Sequence, residues 1–171
     1  MRFQLRSVVT ASFVLLLALL LVPGGARAQA PAPTARNAFY LELGGNAILY
    51  SLNYDRLFTD KVSGRVGVMF FGAADEDSSA GVVATPIMAN YLWGEGNSRF
   101  ETGAGLLLVS GGINNVDGYE DEGFGGAAGT ATLGYRYQRP AGGLVFRAGV
   151  TPIFSLNGIA PWFGISFGYS F

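Results

Sequence analysis

The chain ends on the stretch that decides its fold, Trp162-Phe163-Gly164-Ile165-Ser166-Phe167-Gly168-Tyr169-Ser170-Phe171, in which large apolar residues alternate with small ones. Successive side chains of a β-strand point to opposite faces, so one face of this segment is bulky and apolar while the other is small and polar. A soluble barrel needs its bulky residues inside, and the sequence offers no second sheet or helix to cover such a face. The pattern is typical of a strand whose apolar side contacts lipid.

The amino terminus carries the features of an export signal. Arg2 and Arg6 precede an apolar run from Val8 to Val22, and Ala26-Arg27-Ala28 has the small-x-small form of a cleavage site. The run is shorter than the ~20 residues that a helix needs to cross a bilayer, which disfavours the alternative of a single-span anchor. The predicted organisation is a signal peptide over residues 1–28, a short disordered segment over 29–36 and one domain over 37–171.

The domain is predicted to be all-β. Half of the chain is hydrophobic and 26 residues are glycine, yet no apolar stretch after residue 22 approaches the length of a membrane-spanning helix. A membrane protein without such helices must be a closed barrel, because hydrocarbon leaves no partner for unpaired backbone groups. The length suits eight strands in a closed antiparallel up-and-down transmembrane β-barrel. A ten-stranded barrel would need a hairpin within residues 111–126, and a soluble β-sandwich with aromatic core residues is the other alternative.

Internal repeats support four hairpins. Two kinds of segment alternate along the chain, one with a charged residue two positions before a glycine and one with a tyrosine near its end. The first kind comprises Glu42/Gly44, Arg65/Gly67, Glu101/Gly103 and Arg147/Gly149, and the second comprises Asn53-Tyr54, Asn90-Tyr91, Gly134-Tyr135 and Gly168-Tyr169. The first hairpin is predicted to have a tight outer turn near Gly45-Asn46, and Pro86 predicts a bulge because it cannot donate to a ladder.

Aromatic residues at the ends of the returning strands predict a girdle at one rim. Tyrosine and tryptophan favour the membrane interface, where the ring is buried and the polar tip stays hydrated. Because the chain ends at this rim, we expect the rim to be periplasmic. The predicted girdle and assembly residues are Tyr54, Tyr91, Trp93, Tyr135, Tyr137, Phe167, Tyr169 and Phe171.

Six charged residues fall at strand positions that the alternation directs inward. An eight-stranded barrel is only wide enough for its own side chains, so these charges must pair with one another. The sequence therefore predicts an internal network of salt bridges that plugs the lumen, with a narrow ion path as the alternative. The predicted interior charges are Glu42, Asp55, Arg65, Glu101, Arg136 and Arg147.

The architecture, the inward charges and the terminal Tyr169-Ser170-Phe171 together resemble the small eight-stranded outer-membrane barrels of the OmpA and OmpX type. The resemblance covers residues 37–171 and matches no single member. It implies a place in the outer membrane of a Gram-negative cell and recognition of the terminal strand by the barrel-assembly machinery. Such barrels include structural anchors, adhesion factors, small-solute channels and enzymes, so the resemblance assigns no activity.

The inventory of reactive side chains argues against catalysis. The chain has no histidine and no cysteine, and the barrel enzymes of this class use histidine to activate a serine or water. Asp55 with Ser51 and Asn53 is the best remaining cluster, and we interpret it as an inward hydrogen-bond network. We predict no enzyme, no cofactor and no metal-dependent centre. The expected function is structural or surface interaction, with a narrow porin-like channel or small-solute facilitator as the alternative.

The charges outside the strands suggest partners. The connections around residues 75–77 and 117–122 contain seven acidic residues and no lysine or arginine, a composition that suits weak binding of divalent cations but lacks the spacing of a calcium loop. The opposite rim is mainly basic, with Arg36, Arg56, Lys61, Arg99 and Arg139. Removal of the signal peptide leaves an acidic chain, so nucleic acid is not an expected partner. The expected partners are outer-membrane lipid, the assembly machinery and a surface partner that the sequence does not name.

Overall fold

The computed structural model describes residues 34–74, 78–115 and 122–171. The predicted signal peptide and the acidic residues 75–77 and 117–121 lie outside the described residues. The strands are β1 (Asn37–Gly44), β2 (Tyr50–Leu57), β3 (Val62–Ala74), β4 (Ser78–Trp93), β5 (Ser98–Asn115), β6 (Glu122–Gln138), β7 (Gly143–Val150), β8 (Ile153–Ser155), β9 (Gly158–Ala160) and β10 (Phe163–Ser170), with a 3₁₀ turn (Gly45–Ala47) after β1.

These segments close into an eight-stranded antiparallel barrel, which confirms the predicted number of strands and their closed, antiparallel arrangement. Each strand from β1 to β7 pairs with the next, β7 pairs with β10, and β10 pairs with β1. The short strands β8 and β9 continue β7 and β10 in the same register, as the pairs Gly129↔Phe154 and Ile153↔Ala160 indicate. The interruptions contain Pro152 and Pro161, which lack the N–H that a ladder requires.

The alternation in β10 gives this strand an apolar outer face and a small, polar inner face. Phe163, Phe167 and Tyr169 are about half to two-thirds exposed, whereas Ser166 and Ser170 are buried. The outward positions of the other long strands are likewise exposed aliphatic and aromatic side chains, whereas their inward positions include large buried apolar residues such as Met69, Met88 and Leu107. Among the side chains that the structure describes within strands, Arg56 is the single charge on the outer face, and it lies near the rim where the chain ends. No helix in the described part is long and apolar enough to cross a membrane.

Pro86 does not produce the predicted bulge. The pairs Val66↔Ile87 and Met69↔Ala84 have the same register, so no residue is inserted between them. The β3–β4 ladder has no residue pair at Pro86, and the Pro86 side chain is buried in the interior. The absence of a side chain at Gly67 leaves space for the proline ring. A Cβ at Gly67 would lie only 2.9 Å from Pro86 Cγ.

The end of the segment predicted to be disordered, 29–36, is bound to the barrel. Ala35 N donates to the Pro140 carbonyl at 3.0 Å, and Leu57 N donates to the Arg36 carbonyl at 2.7 Å. Asn37 and Phe171 exchange two backbone hydrogen bonds of 3.0 and 2.8 Å. The first and last described residues of the barrel therefore meet at one rim.

Candidate functional site

The barrel interior contains an uninterrupted chain of ion pairs. Each of its six members is at most 4% exposed, and acids and bases alternate along it. At its centre, Arg147 Nε lies 2.7 Å from Glu101 Oε2, and Glu101 Oε1 lies 3.3 Å from Arg136 Nη1. The full order is Arg65, Glu42, Arg147, Glu101, Arg136 and Asp55, with Arg65–Glu42, Glu42–Arg147 and Arg136–Asp55 contacts of 3.1, 3.8 and 2.8 Å.

Neutral side chains add hydrogen bonds to this ion chain, although Arg65 Nε is buried without a partner among the described residues. Arg147 Nη1 donates to the Tyr40 hydroxyl at 2.7 Å, and its guanidinium carbon lies 4.9 Å from the centre of the Tyr40 ring. At the Asp55 end, Ser63 Oγ donates to Asp55 Oδ2 at 3.1 Å and Arg136 Nε donates to Gln138 Oε1 at 2.9 Å. Buried charges are tolerated when they are paired and hydrogen-bonded in this way.

The first turn of the barrel folds into the lumen, which differs from the predicted tight outer turn. Gly45, Asn46 and Ala47 are all buried. Gly44 and Gly45 have φ values of 68° and 72°, a left-handed conformation that glycine adopts without the penalty of a Cβ. A Cβ on Gly45 would also lie 2.2 Å from Glu42 Cδ. The two glycines therefore let the chain reverse towards the barrel axis.

Asn46 fixes this 3₁₀ turn to the opposite wall. Its Nδ2 donates to Thr130 Oγ1 at 2.7 Å and to the Ala131 carbonyl at 3.0 Å. Its Oδ1 accepts hydrogen bonds from Thr132 Oγ1 and from Arg65 Nη2. Asn46 thus connects the ion chain to β6. Above it, Ala47 packs in a buried apolar cluster with Met69, Ala84 and Leu107.

A row of inward-facing glycines makes room for the 3₁₀ turn. Gly44 pairs with Gly164, Gly164 with Gly149, and Gly149 with Gly134, so four neighbouring strands lack a side chain at this level. A Cβ on Gly164 would lie 2.7 Å from Gly45 Cα. Two of these glycines, Gly44 and Gly149, belong to the charge–glycine repeats of the sequence and therefore also serve to make room for the turn.

Arg99 lies at the predicted basic rim, near the start of β5, but its side chain turns into the barrel. It is 8% exposed, and its Nη1 donates to the Asp60 carbonyl at 2.7 Å. It lies two residues before Glu101 on β5 and therefore on the same inward face. This spacing is the signal that could have identified it.

The cluster of Asp55, Ser51 and Asn53 does not form one site. Asn53 Nδ2 donates to Ser51 Oγ at 2.8 Å, and Ser51 Oγ donates to Glu42 Oε2 at 3.4 Å. Asp55 instead bonds to Arg136 and Ser63. No serine is therefore paired with a free carboxylate in this cluster. Within the described residues no group of three or more acidic side chains could hold a metal ion.

One small cavity borders the ion chain. Its volume is about 10 Å³, close to that of one water molecule, and Glu42, Glu101, Arg147 and Thr151 contribute to its lining. Thr151 Oγ1 is buried and has no hydrogen-bond partner among the described residues. The cavity is suited to a bound water and is far smaller than a ligand pocket.

The predicted girdle residues lie on the outer face at the end of the barrel that carries the chain terminus. Tyr91 and Trp93 have ring centres 4.7 Å apart, and Phe146 and Phe167 have ring centres 5.1 Å apart. A third group joins Tyr54, Phe39 and Phe171, with separations of 5.1 and 5.9 Å. Tyr135, Tyr137 and Tyr169 are also half-buried or exposed on the outer face.

Neither a protein-family model nor a curated protein matches the sequence, whereas solved structures match the fold. The amino-terminal β-barrel domain of OprF from Pseudomonas aeruginosa has a TM-score of 0.57 and 18% identity, over 82% of this chain and 99% of that one. Ail, the attachment invasion locus protein of Yersinia pestis, in complex with the heparin analogue sucrose octasulfate, has a TM-score of 0.52 and 11% identity, over 79% and 92%. The fold is therefore that of the small eight-stranded outer-membrane barrels.

Proposed function

We propose that the protein is a small outer-membrane β-barrel of structural or surface-interaction type, exported by its signal peptide and inserted in the outer membrane of a Gram-negative cell. The exposed apolar outer face, the aromatic belt and the fold shared with OprF and Ail support this location. The terminal strand, ending on Phe171, is the expected recognition element for the barrel-assembly machinery.

The observation that carries the proposal is the filled lumen. Five ion-pair contacts link six buried charges, and the 3₁₀ turn with its apolar cluster lies above them. A solute would have to break buried ion pairs, and each carboxylate left unpaired would be strongly destabilising. A barrel of this kind serves as a rigid support for its surface connections rather than as a path through the membrane.

The surface partner should differ from the anionic ligand in the Ail complex. That ligand carries eight sulfates by its name, whereas the connections of this chain at 75–77 and 117–122 are rich in acidic residues. Like charges would repel such a ligand. We therefore expect a cationic partner or weakly bound divalent cations at these connections.

Fractionation and gel mobility test the location. We expect the protein to stay with the outer-membrane fraction after a carbonate wash, and to migrate differently on gels with and without boiling. Release by carbonate into the soluble fraction would contradict the proposal.

The rival function is a narrow channel or small-solute facilitator, in which the water-sized cavity beside Arg147 would have to be part of a wider, continuous path. Vesicles that contain the purified protein distinguish the two functions. The plugged barrel should leave the uptake of small sugars and amino acids at the level of empty vesicles. Uptake that grows with the amount of folded protein would favour the facilitator instead.

A further inference from the structure

The barrel wall has a lateral gap above the 3₁₀ turn. β2 begins at Tyr50, and its last pair with β3 is Leu52↔Val68, so residues 69–74 of β3 have a strand partner on the β4 side alone. Across the gap, β9 pairs with β8 and has no ladder on its other side. Within the described residues, β3 and β9 are therefore two unpaired strand edges that face each other.

Aromatic side chains cap carbonyls at this gap. The Tyr50 hydroxyl donates to the carbonyl of Phe70, on the part of β3 that lacks β2 as a partner. Trp162 Nε1 donates to the carbonyl of Ile48 at 2.8 Å. A backbone carbonyl without a partner is costly next to hydrocarbon. These two bonds reduce the cost of leaving the wall open at this point.

Behind the gap lies an open apolar cup. Phe71 and Phe124 face inward by the strand alternation, yet they are 57% and 52% exposed, so nothing among the described residues fills the space before them. A Cβ on the inward-facing Gly126 would meet no atom within 4 Å. The floor of the cup is the buried cluster around Ala47 and Met69. The described side chains of the cup are Phe71, Val82, Val109, Phe124, Ala128 and Ile153, none of which is charged.

We propose that this cup takes an acyl chain of the surrounding membrane lipid, which enters through the gap between β3 and β9. The inference rests on the proposed membrane location. The outer edges of the gap continue the exposed apolar surface, because Phe70, Leu49 and Ile159 are 62%, 54% and 67% exposed. An uncharged, apolar lining suits a hydrocarbon chain, while the polar headgroup of the lipid stays outside the gap.

Two neighbouring phenylalanines provide a matched test. Phe70 points outward and Phe71 points inward on the same edge strand. The two native tryptophans are first removed by the substitutions Trp93→Phe and Trp162→Phe. Phe70 or Phe71 is then replaced by Trp, so that each variant contains a single tryptophan. The folded variants, selected by their gel mobility, are placed in vesicles of phosphatidylcholine brominated on its acyl chains, and tryptophan quenching is measured. Iodide in the aqueous phase is the second quencher.

The proposal predicts that brominated lipid quenches the fluorescence of both variants at least twofold, and that iodide quenches neither. If iodide quenches Phe71→Trp, the cup is filled with water and the proposal is wrong. If neither reagent quenches Phe71→Trp, the cup is covered by protein, and the proposal is wrong as well. Absence of lipid quenching in Phe70→Trp would instead contradict the membrane location.

A second pair of variants separates a lipid inside the cup from lipid that merely lies nearby. Gly126→Phe fills the open space inside the cup, whereas Gly125→Phe adds the same ring on the outer face of the same strand. Gly126→Phe should reduce the lipid quenching of Phe71→Trp by at least half and leave that of Phe70→Trp unchanged. Gly125→Phe should change neither. Equal effects of the two phenylalanines would contradict an acyl chain in the cup.

Discussion

Arg147 on β7 binds Glu101 on β5 with an Nε to Oε2 distance of 2.7 Å, although the two strands lie on opposite sides of β6 and share no ladder. The contact crosses the inner face of β6, where Gly134 pairs with Glu101 and carries no side chain. The ion chain therefore links strands that backbone hydrogen bonds do not join. It fixes their relative positions while it fills the lumen.

Replacement of Arg147 by Ala should lower the free energy of unfolding by ~3–5 kcal/mol, because Glu101 and Glu42 lose a buried partner. Urea unfolding of the protein in lipid vesicles, followed by tryptophan fluorescence, measures the change. Arg139→Ala removes an exposed arginine at the rim and should change the stability by less than ~0.5 kcal/mol. Equal effects of the two variants would contradict the structural role of Arg147.

Simultaneous replacement of Glu101 and Arg147 should lower the free energy of unfolding by less than the sum of the two single replacements. The pair of changes Glu101→Leu and Arg147→Met leaves Arg65–Glu42 and Arg136–Asp55 as intact ion pairs. A coupling energy of ~0.5–3 kcal/mol is expected between contacting residues. A double-mutant cycle in the same unfolding assay gives its value. Additive effects would indicate that the two side chains do not interact.

Gly45→Ala tests the inward 3₁₀ turn. Its Cβ would collide with Glu42, whereas a Cβ on Gly96, at the similar φ of 79°, would meet nothing within 4 Å. Both variants place alanine at a similar positive φ, so the difference in their stability reports mainly the collision. Gly45→Ala should be ~1–3 kcal/mol less stable than Gly96→Ala, the usual range for overpacking. Equal stability would mean that the turn does not lie against Glu42.

Deletion of Phe171 should impair assembly more than stability. The backbone of Phe171 makes two hydrogen bonds with Asn37 and ends the β1–β10 ladder, so its loss frays one rim but leaves the remaining pairs. We expect little change in refolding from urea into detergent and a clear fall in the amount of folded protein in the outer membrane of cells. Phe163→Ala, at the other end of β10, is the control. A similar cellular defect in both variants would argue against a terminal recognition element.

The strands and their inward faces could be predicted because they follow a two-residue period. The charged residues Glu42, Arg65, Glu101 and Arg147 occupy inward positions of their strands. The small diameter of an eight-stranded barrel requires them to pair. Which acid pairs with which base depends on the stagger of the strands and on the reach of the side chains. The two-residue period carries no information about either.

Two features of the interior could not be predicted because they depend on tertiary contacts. A Gly-Gly-Asn sequence is equally compatible with an exposed turn, and the inward direction of the 3₁₀ turn depends on the glycine row that faces it from β10, β7 and β6. Pro86 is accepted without a bulge because Gly67 on the neighbouring strand leaves space for its ring. In both cases the deciding residue belongs to another strand.

Single-channel recording in planar lipid bilayers tests the filled lumen most directly. A barrel with a filled lumen, inserted at high salt, should give no stepwise conductance above the bare membrane. Arg139→Ala should be equally silent, since it leaves the interior unchanged. Reproducible conductance steps whose size or ion selectivity changes when Arg65 or Arg147 is replaced by Gln would show an open path along the ion chain and contradict the account.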